Sequence, residues 1–348
     1  MNKRIFIVAF FAFLFLAGSV YAAIGITELR TEQLKNPLGI DVRQPRLGWR
    51  IESDEQNVMQ TAYHILVASS ADLLAQEKGD IWDSGKIESD ASQWIAYQGK
   101  PLKRNARYYW KVKVYTNRGE ADWSAPAFWS MGLLNEADWQ GQWIGLDRAA
   151  SGDSETQWSR LAARYLRKEF ALGREVKRAT VHIAGMGLYE LFINGQRIGD
   201  QVLAPAPTDY RKTILYNTYD VTPQLRKENA IGVTLGNGRF YTMRQNYKPY
   251  KIPTFGYPKL RLNLIVEYMD GSKETIATNT SWKLTTEGAI RSNNEYDGEE
   301  YDARKELGNW TQSGYDDKSW IAAQRVSIPS GTLRAQIMPG MKVMDTLK

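Results

Sequence analysis

Tyr108-Tyr109-Trp110-Lys111-Val112-Lys113-Val114-Tyr115 decides the fold class. Trp110, Val112 and Val114 share one side of a two-residue period, and Lys111, Lys113 and Tyr115 share the other, the pattern of a half-buried antiparallel strand. Further β-type runs lie on either side of it, at 46–52, 62–68, 81–83, 93–97 and 127–131, joined by turns that contain Gly, Asp, Asn or Pro. One short helix is predicted at 71–77, capped by Ser69 or Ser70. About seven strands in a hundred residues predict a fibronectin/immunoglobulin-like sandwich over 24–134.

A Trp-rich junction, 134–143, leads to a second β pattern. Its strands are predicted near 164–170, 179–184, 188–193, 214–219, 230–235, 260–268, 274–277, 282–285 and 290–292, with hairpin turns at Asn194-Gly195 and Asp270-Gly271. So many strands, with an excursion over 236–257, predict a jelly-roll β-sandwich spanning 139–330. The expected class is therefore all-β, one sandwich followed by another. Residues 331–348 carry Ile337, Val343 and Met344 with no closing turn, and read as the start of a following domain.

At the N-terminus, Lys3 and Arg4 precede an apolar run over 5–17, and Val20-Tyr21-Ala22 supplies small side chains suited to cleavage after Ala22. The run falls short of the roughly 20 residues that a spanning helix needs, so residues 1–22 read as a secretory signal peptide; the competing reading is an uncleaved anchor. No transmembrane segment is expected after cleavage. Cysteine is absent, which excludes disulfides and thiolate chemistry, and leaves folding to hydrophobic cores. The formal charge of +6 comes from interspersed residues rather than runs, so nucleic acid is not an expected partner. The 12 Trp and 19 Tyr supply packing mass for strands and stacking faces for sugar rings.

Two ordered series of motifs then bear on function. The first is Asn36-Pro37-Leu38-Gly39-Ile40-Asp41, Pro45-Arg46-Leu47-Gly48-Trp49, Gln60-Thr61-Ala62-Tyr63 and Trp82-Asp83-Ser84-Gly85-Lys86. The second runs from Leu188-Tyr189-Glu190-Leu191-Phe192-Ile193-Asn194-Gly195 through Gly199-Asp200, Ala204-Pro205, Thr208-Asp209-Tyr210, Tyr219-Asp220-Val221-Thr222 and Leu235-Gly236-Asn237-Gly238 to Tyr296-Asp297-Gly298-Glu299 and Tyr301-Asp302-Ala303-Arg304. Together they resemble the N-terminal fibronectin-like and jelly-roll domains of bacterial α-L-rhamnosidases. Ile193-Asn194-Gly195 with Gly199 is weak alone, since similar hairpins occur in β-galactosidase-like sugar-binding domains; the ordered series is much more specific.

The signal peptide implies an exported protein, periplasmic or extracellular, and the resemblance implies that its partner is a rhamnose-containing glycan or glycoside. It also implies an inverting glycosidase that removes terminal α-L-rhamnose with paired acidic residues on a helical barrel. That barrel follows the β domains in the family, and too little chain follows Met341 to hold it. These residues are thus expected to form an accessory, substrate-orienting or carbohydrate-binding part with no catalytic residue of its own. The alternatives are a stand-alone carbohydrate-binding protein and a purely structural β protein.

Inversion needs two carboxyl groups about 6.5–9.5 Å apart. The cluster Glu295, Asp297, Glu299, Glu300 and Asp302 offers compatible spacing, because residues two apart on a strand lie about 6.6 Å apart on one face. Asp297-Gly298 equally forms a turn, where Asp serves local backbone hydrogen bonds, and that reading is preferred. His64 and His182 sit inside predicted strands without ligand-spaced partners, as packed or edge histidines do. The better candidates lie at 236–250: Asn237 and Arg239 offer donors for hydroxyls, and Tyr241 and Tyr247 offer stacking faces on a Gly-rich backbone. Asp209, Tyr210 and Glu299 complete the carbohydrate-binding candidates, with a turn anchor as the alternative role of Asp209-Tyr210. No cofactor is required; the resemblance raises calcium in the jelly roll but maps no ligand for it.

Overall fold

The computed structural model describes residues 24–149, 161–242, 255–296 and 298–347; the signal-peptide reading of 1–22 lies outside them. The architecture is all-β, with one short α-helix among the described residues, Ala71–Ala75. Ser70 Oγ caps that helix by accepting the Leu73 amide at 3.2 Å.

In the first sandwich, a three-stranded sheet has the order Gly25–Thr31, Arg46–Glu52, Ile95–Ala96. The facing sheet runs Trp82–Glu88, Gln60–Ala68, Arg107–Thr116, Gly119–Glu120, and Ala127–Ser130 also pairs with Arg107–Thr116. The alternation of Arg107–Thr116 drives this arrangement. Trp110, Val112 and Val114 are fully buried with Trp49, Tyr63, Ile65, Val67 and Trp129. On the outer face lysine stems lie over rings: the Lys111 ammonium sits 4.8 Å from the Trp123 centroid, and those of Lys86 and Lys113 sit 4.7 and 5.7 Å from that of Tyr115.

The jelly roll packs a six-stranded sheet on a seven-stranded one. The first has the order Gln196–Arg197, Leu188–Ile193, Glu228–Gly236, Arg164–Ala171, Lys283–Thr285, Ile321–Ala322. The second centres on Lys259–Tyr268, Val176–Met186 and Thr213–Asp220, all antiparallel. Leu260, Leu262, Leu264 and Val266 point into the core between the sheets, as a period of two dictates. Thr332–Ala335 joins this sheet in parallel beside Thr213–Tyr216, so part of the segment that reads as the start of a following domain is hydrogen-bonded into the jelly roll. Four residues are too few to show a period, which is why the sequence does not reveal this strand.

The outer face of Lys259–Tyr268 carries Lys259, Arg261 and Asn263, all buried, because the Trp-rich junction lies across it. Arg261 Nε donates to the Gly141 carbonyl at 2.7 Å, Asn263 Oδ1 accepts the Gly141 amide at 2.8 Å, and the Arg261 guanidinium lies over Trp139. Each polar group thus exchanges water for a protein partner.

The two sandwiches meet where side chains of one seat on glycine main chain of the other, and through a buried polar network. A Cβ on Gly39, whose φ is +71°, would stand 1.9 Å from Thr218 Oγ1, and one on Gly132 would stand 2.2 Å from the Tyr216 hydroxyl. His182, fully buried, uses Nε2 toward Asn105 Oδ1 (3.1 Å) and Nδ1 toward Thr218 Oγ1 (2.9 Å). Arg178 donates to the Asn105 carbonyl and pairs with Glu267 at 2.8 Å, and Arg107 pairs with Asp220 at 2.7 Å. His182 is therefore a packed histidine at the seam, with Asn105 on the other sandwich.

Burial, aided by the Arg178 charge, pushes the His182 pKa down to about 3, against 6.5 for a free imidazole. The folded state keeps it neutral where the unfolded chain takes up a proton. Its contribution to stability is complete above pH 6.5 and drains away as the pH falls from 6.5 toward 3, by about 1.4 kcal/mol per pH unit. Urea unfolding of the chain and of His182→Gln at stepped pH from neutral down to about 5, above the range where most carboxylates titrate, should give a steeper fall for the unsubstituted chain. Parallel slopes would mean that His182 is protonated in place.

Candidate functional site

Most of the described candidates gather where three segments meet: the 208–213 turn, the 236–242 loop and the hairpin formed by Ile290–Asn294 and Gly298–Tyr301. Strand Glu228–Gly236 ends where Gly236 runs close to the Asn293 side chain, and Gly238, at φ +52°, lets the chain turn tightly over Leu188.

Asn237 organises the loop from within. Its amide donates to Asn293 Oδ1 at 2.6 Å, its Nδ2 donates to the Leu161 carbonyl at 2.8 Å, and its carbonyl accepts the amides of Phe240 and Tyr241. Its Oδ1 and the Nδ2 of Asn293 are buried with no hydrogen-bond partner among the described residues, one acceptor and one donor beside the loop. Arg239 stays at the surface, where its Nε donates to Glu295 Oε2 at 2.6 Å and ties loop to hairpin. Both partners are about two-fifths exposed, so the pair contributes at most about 1 kcal/mol to stability.

The tyrosines are packed. Tyr210 is buried edge-on between Phe240 and Phe255, each with its centroid at 5.2 Å. Burial, reinforced by the Glu295 charge, raises its pKa to about 12, so the hydroxyl stays protonated at ordinary pH. Tyr241 is buried and stacked on Tyr257 at 5.7 Å. Asp209 anchors the turn: its side chain accepts Arg211 Nε at 3.0 Å, which lowers its pKa, and its carbonyl accepts the amides of Lys212 and Thr213. Glu299 is exposed on the hairpin, opposite Asn293. Tyr247 and Asp297 lie outside the described residues.

The acidic cluster divides by contact. Glu295 engages Arg239, while Asp302 caps the 3-10 turn Ala303–Lys305 and holds Arg304 through Nε and Nη2 at 2.8 Å each. The Arg304 bonds pull the Asp302 carboxyl down to about 2, opposite to the shift that a general acid needs. Among the described residues no group of three or more His, Cys, Asp or Glu side chains could hold a metal ion. Asn293, Phe255 and Tyr257 complete this neighbourhood and were not legible as parts of it. Asn293 lies just beyond the strand predicted at 290–292, so nothing in the sequence tied it to the loop.

If Tyr210 serves packing, Tyr210→Phe should change stability by less than about 0.5 kcal/mol, whereas Tyr210→Ala should cost about 3 kcal/mol by opening the Phe240–Phe255 cluster. Denaturant unfolding of both variants measures this; a neutral Ala substitution would free the ring for another role.

Comparison with known proteins follows the same two-part division. The family described as "Rha78A-like, N-terminal immunoglobulin domain" matches residues 26–135, and that described as "Alpha-L-rhamnosidase N-terminal domain" matches 174–345. An α-L-rhamnosidase of Formosa agariphila is 40% identical over 330 residues, which cover 89% of this chain and 34% of the relative. The solved α-L-rhamnosidase from Dictyoglumus thermophilum superposes with a TM-score of 0.81 at 40% identity, covering 90% of this chain and 35% of that one. The Streptomyces avermitilis α-L-rhamnosidase solved with L-rhamnose gives 0.83 at 25% identity, covering 93% and 47%. The chain thus spans a third to a half of the length of these relatives. It belongs to the α-L-rhamnosidase family, where it corresponds to the N-terminal immunoglobulin-like and jelly-roll domains.

Proposed function

We propose that these two domains are an accessory part of an exported α-L-rhamnosidase: they orient the catalytic part and contact the glycan, while the hydrolysis of terminal α-L-rhamnose, with inversion, is carried out by residues outside them. The observation that carries this reading is the local commitment of two members of the acidic cluster, Glu295 held by Arg239 and Asp302 by Arg304, inside a chain matched to the N-terminal domains of rhamnosidases. An inverting pair needs two carboxyl groups across a water-sized gap, one of them with a raised pKa. The depressed Asp302 cannot supply the acid.

Contact with sugar has a narrower basis. Arg239 and Glu295 present charged hydrogen-bonding groups at the loop surface, above the unpartnered Asn237 and Asn293 atoms, and they would meet ligand hydroxyls rather than stack on a ring. Calcium has no cluster to favour it among the described residues.

The purified chain, supplied with an aryl α-L-rhamnoside, should release no rhamnose above the buffer rate. Turnover that persists through purification and disappears in Glu299→Gln would overturn the accessory reading. Export has its own test: mass spectrometry of the protein recovered outside the cytoplasm should give a chain beginning at Ala23, and a mass that retains residues 1–22 would count against cleavage.

A further inference from the structure

A second place in the jelly roll is built more like a ligand pocket than the 236–242 loop. Beside the end of strand Lys283–Thr285, a cavity of about 210 Å³ is lined by Arg167, Lys168, Glu169, Lys283, Tyr315 and Asp317. Arg167 forms its floor. The guanidinium is 1% exposed and fully engaged: Nε donates to the Trp310 carbonyl at 2.9 Å, Nη2 to the Gln312 carbonyl at 3.0 Å and to Glu169 at 2.5 Å, and Nη1 to Asp317. Tyr315 packs its ring 5.3 Å from the guanidinium carbon and edge-on to Trp320.

This bonding decides the charge that the cavity offers. Both lining carboxylates are committed to Arg167, whereas Lys168 and Lys283 enter no ion pair among the described residues. Lys283 leaves the sheet on the same outer face as its register partner Arg167, whereas Lys168 leaves the other face opposite Ile231 and lines the cavity at the open strand edge. Two unpaired lysines therefore flank the cavity from opposite faces and are left to attract an anion. Hydrogen-bonding capacity is also available, because the pairing of strand Arg164–Ala171 with strand Lys283–Thr285 ends at Arg167 opposite Lys283, which leaves the strand edge at Lys168 and Glu169 open on that side. A small cavity with an aromatic ring, two unpaired cations and an open strand edge fits a single polyhydroxylated ring with one negative group better than a bare ion or an apolar ligand.

We propose that this cavity is a subsite for one anionic sugar residue, its carboxylate or sulfate ester held by Lys168 and Lys283 and its ring set against Tyr315. The site goes beyond rhamnoside recognition and does not depend on the 236–242 loop, so its test is independent of the hydrolysis assay.

Calorimetric titration of the full chain at low salt, with D-glucuronate, N-acetylglucosamine 6-sulfate, D-glucose and inorganic sulfate as probes, tests the proposal. At least one anionic sugar should bind saturably, at least about tenfold more tightly than glucose, and more weakly as NaCl is raised. A carboxylate-only or sulfate-only result identifies the group recognised, and both support the site. Lys168→Gln with Lys283→Gln should weaken that binding about tenfold or more, and each single change should weaken it in part, which keeps the test valid if the double variant unfolds. Tyr315→Leu should weaken the sugar without changing the response to inorganic sulfate. Absence of saturable binding by either anionic sugar, equal binding of glucose, inorganic sulfate binding as tightly as the sugar sulfate, or unchanged affinity in the lysine variants would overturn the proposal.

Discussion

The close approach of the residue 39 and residue 132 backbones to the Thr213–Asp220 strand is the constraint on which the rest of the molecule depends. Only the missing side chains of Gly39 and Gly132 admit Thr218 and Tyr216 at that distance. Once the Thr218 and Tyr216 side chains seat against these glycines, the polar groups around them are sealed from water and must find protein partners. Most do so: His182 with Asn105 Oδ1 and Thr218 at the centre, and the pairs Arg178–Glu267 and Arg107–Asp220 beside them, while Asn105 Nδ2 and Arg107 Nε stay buried without a partner among the described residues. An apolar layer of Leu133, Trp139, Trp143, Met186, Tyr210, Ile214 and Tyr216 continues the seam. With no cysteine anywhere in the chain, packing and hydrogen bonding carry the whole association.

This seam also explains the junction. A connector between two domains is usually exposed and polar, yet residues 136–143 are rich in Trp and lie across the outer face of Lys259–Tyr268. Arg261 and Asn263 meet the junction's backbone, and Lys259 meets the side chains of Asp147 and Ser327, so they are buried without being orphaned. The loop-bearing end of the jelly roll is tied to the same layer through Tyr210 and Phe240, and a shift at the seam would be felt at the 236–242 loop through rigid packing.

What could be read from the sequence follows from the range of the forces involved. Arg107–Thr116 announced itself because alternation is local, and the Asn194-Gly195 and Asp270-Gly271 turns did so because left-handed φ values are demanded within two residues. Strands of two to four residues, such as Gln196–Arg197 and Thr332–Ala335, exist only through partners far along the chain and leave no period to detect. The same limit applies at the candidate site. Tyr210 and Tyr241 have the composition of stacking faces, but Phe240, Phe255 and Tyr257 occupy those faces. Asp209 was legible as a turn anchor because its partners are two to four residues away.

The acidic cluster shows why spacing alone does not make a catalytic pair. Residues two apart on a strand share a face whatever their chemistry, and two carboxylates placed so would each raise the pKa of the other unless cations intervened. Cations do intervene here, and each is supplied by a neighbouring turn or loop: Arg304 for Asp302, Arg239 for Glu295. Asp302, whose carboxyl Arg304 holds low, is a good hydrogen-bond acceptor and a poor proton donor. That chemistry suits holding a hairpin against a loop, and holding hydroxyl groups at its surface, better than it suits breaking a glycosidic bond.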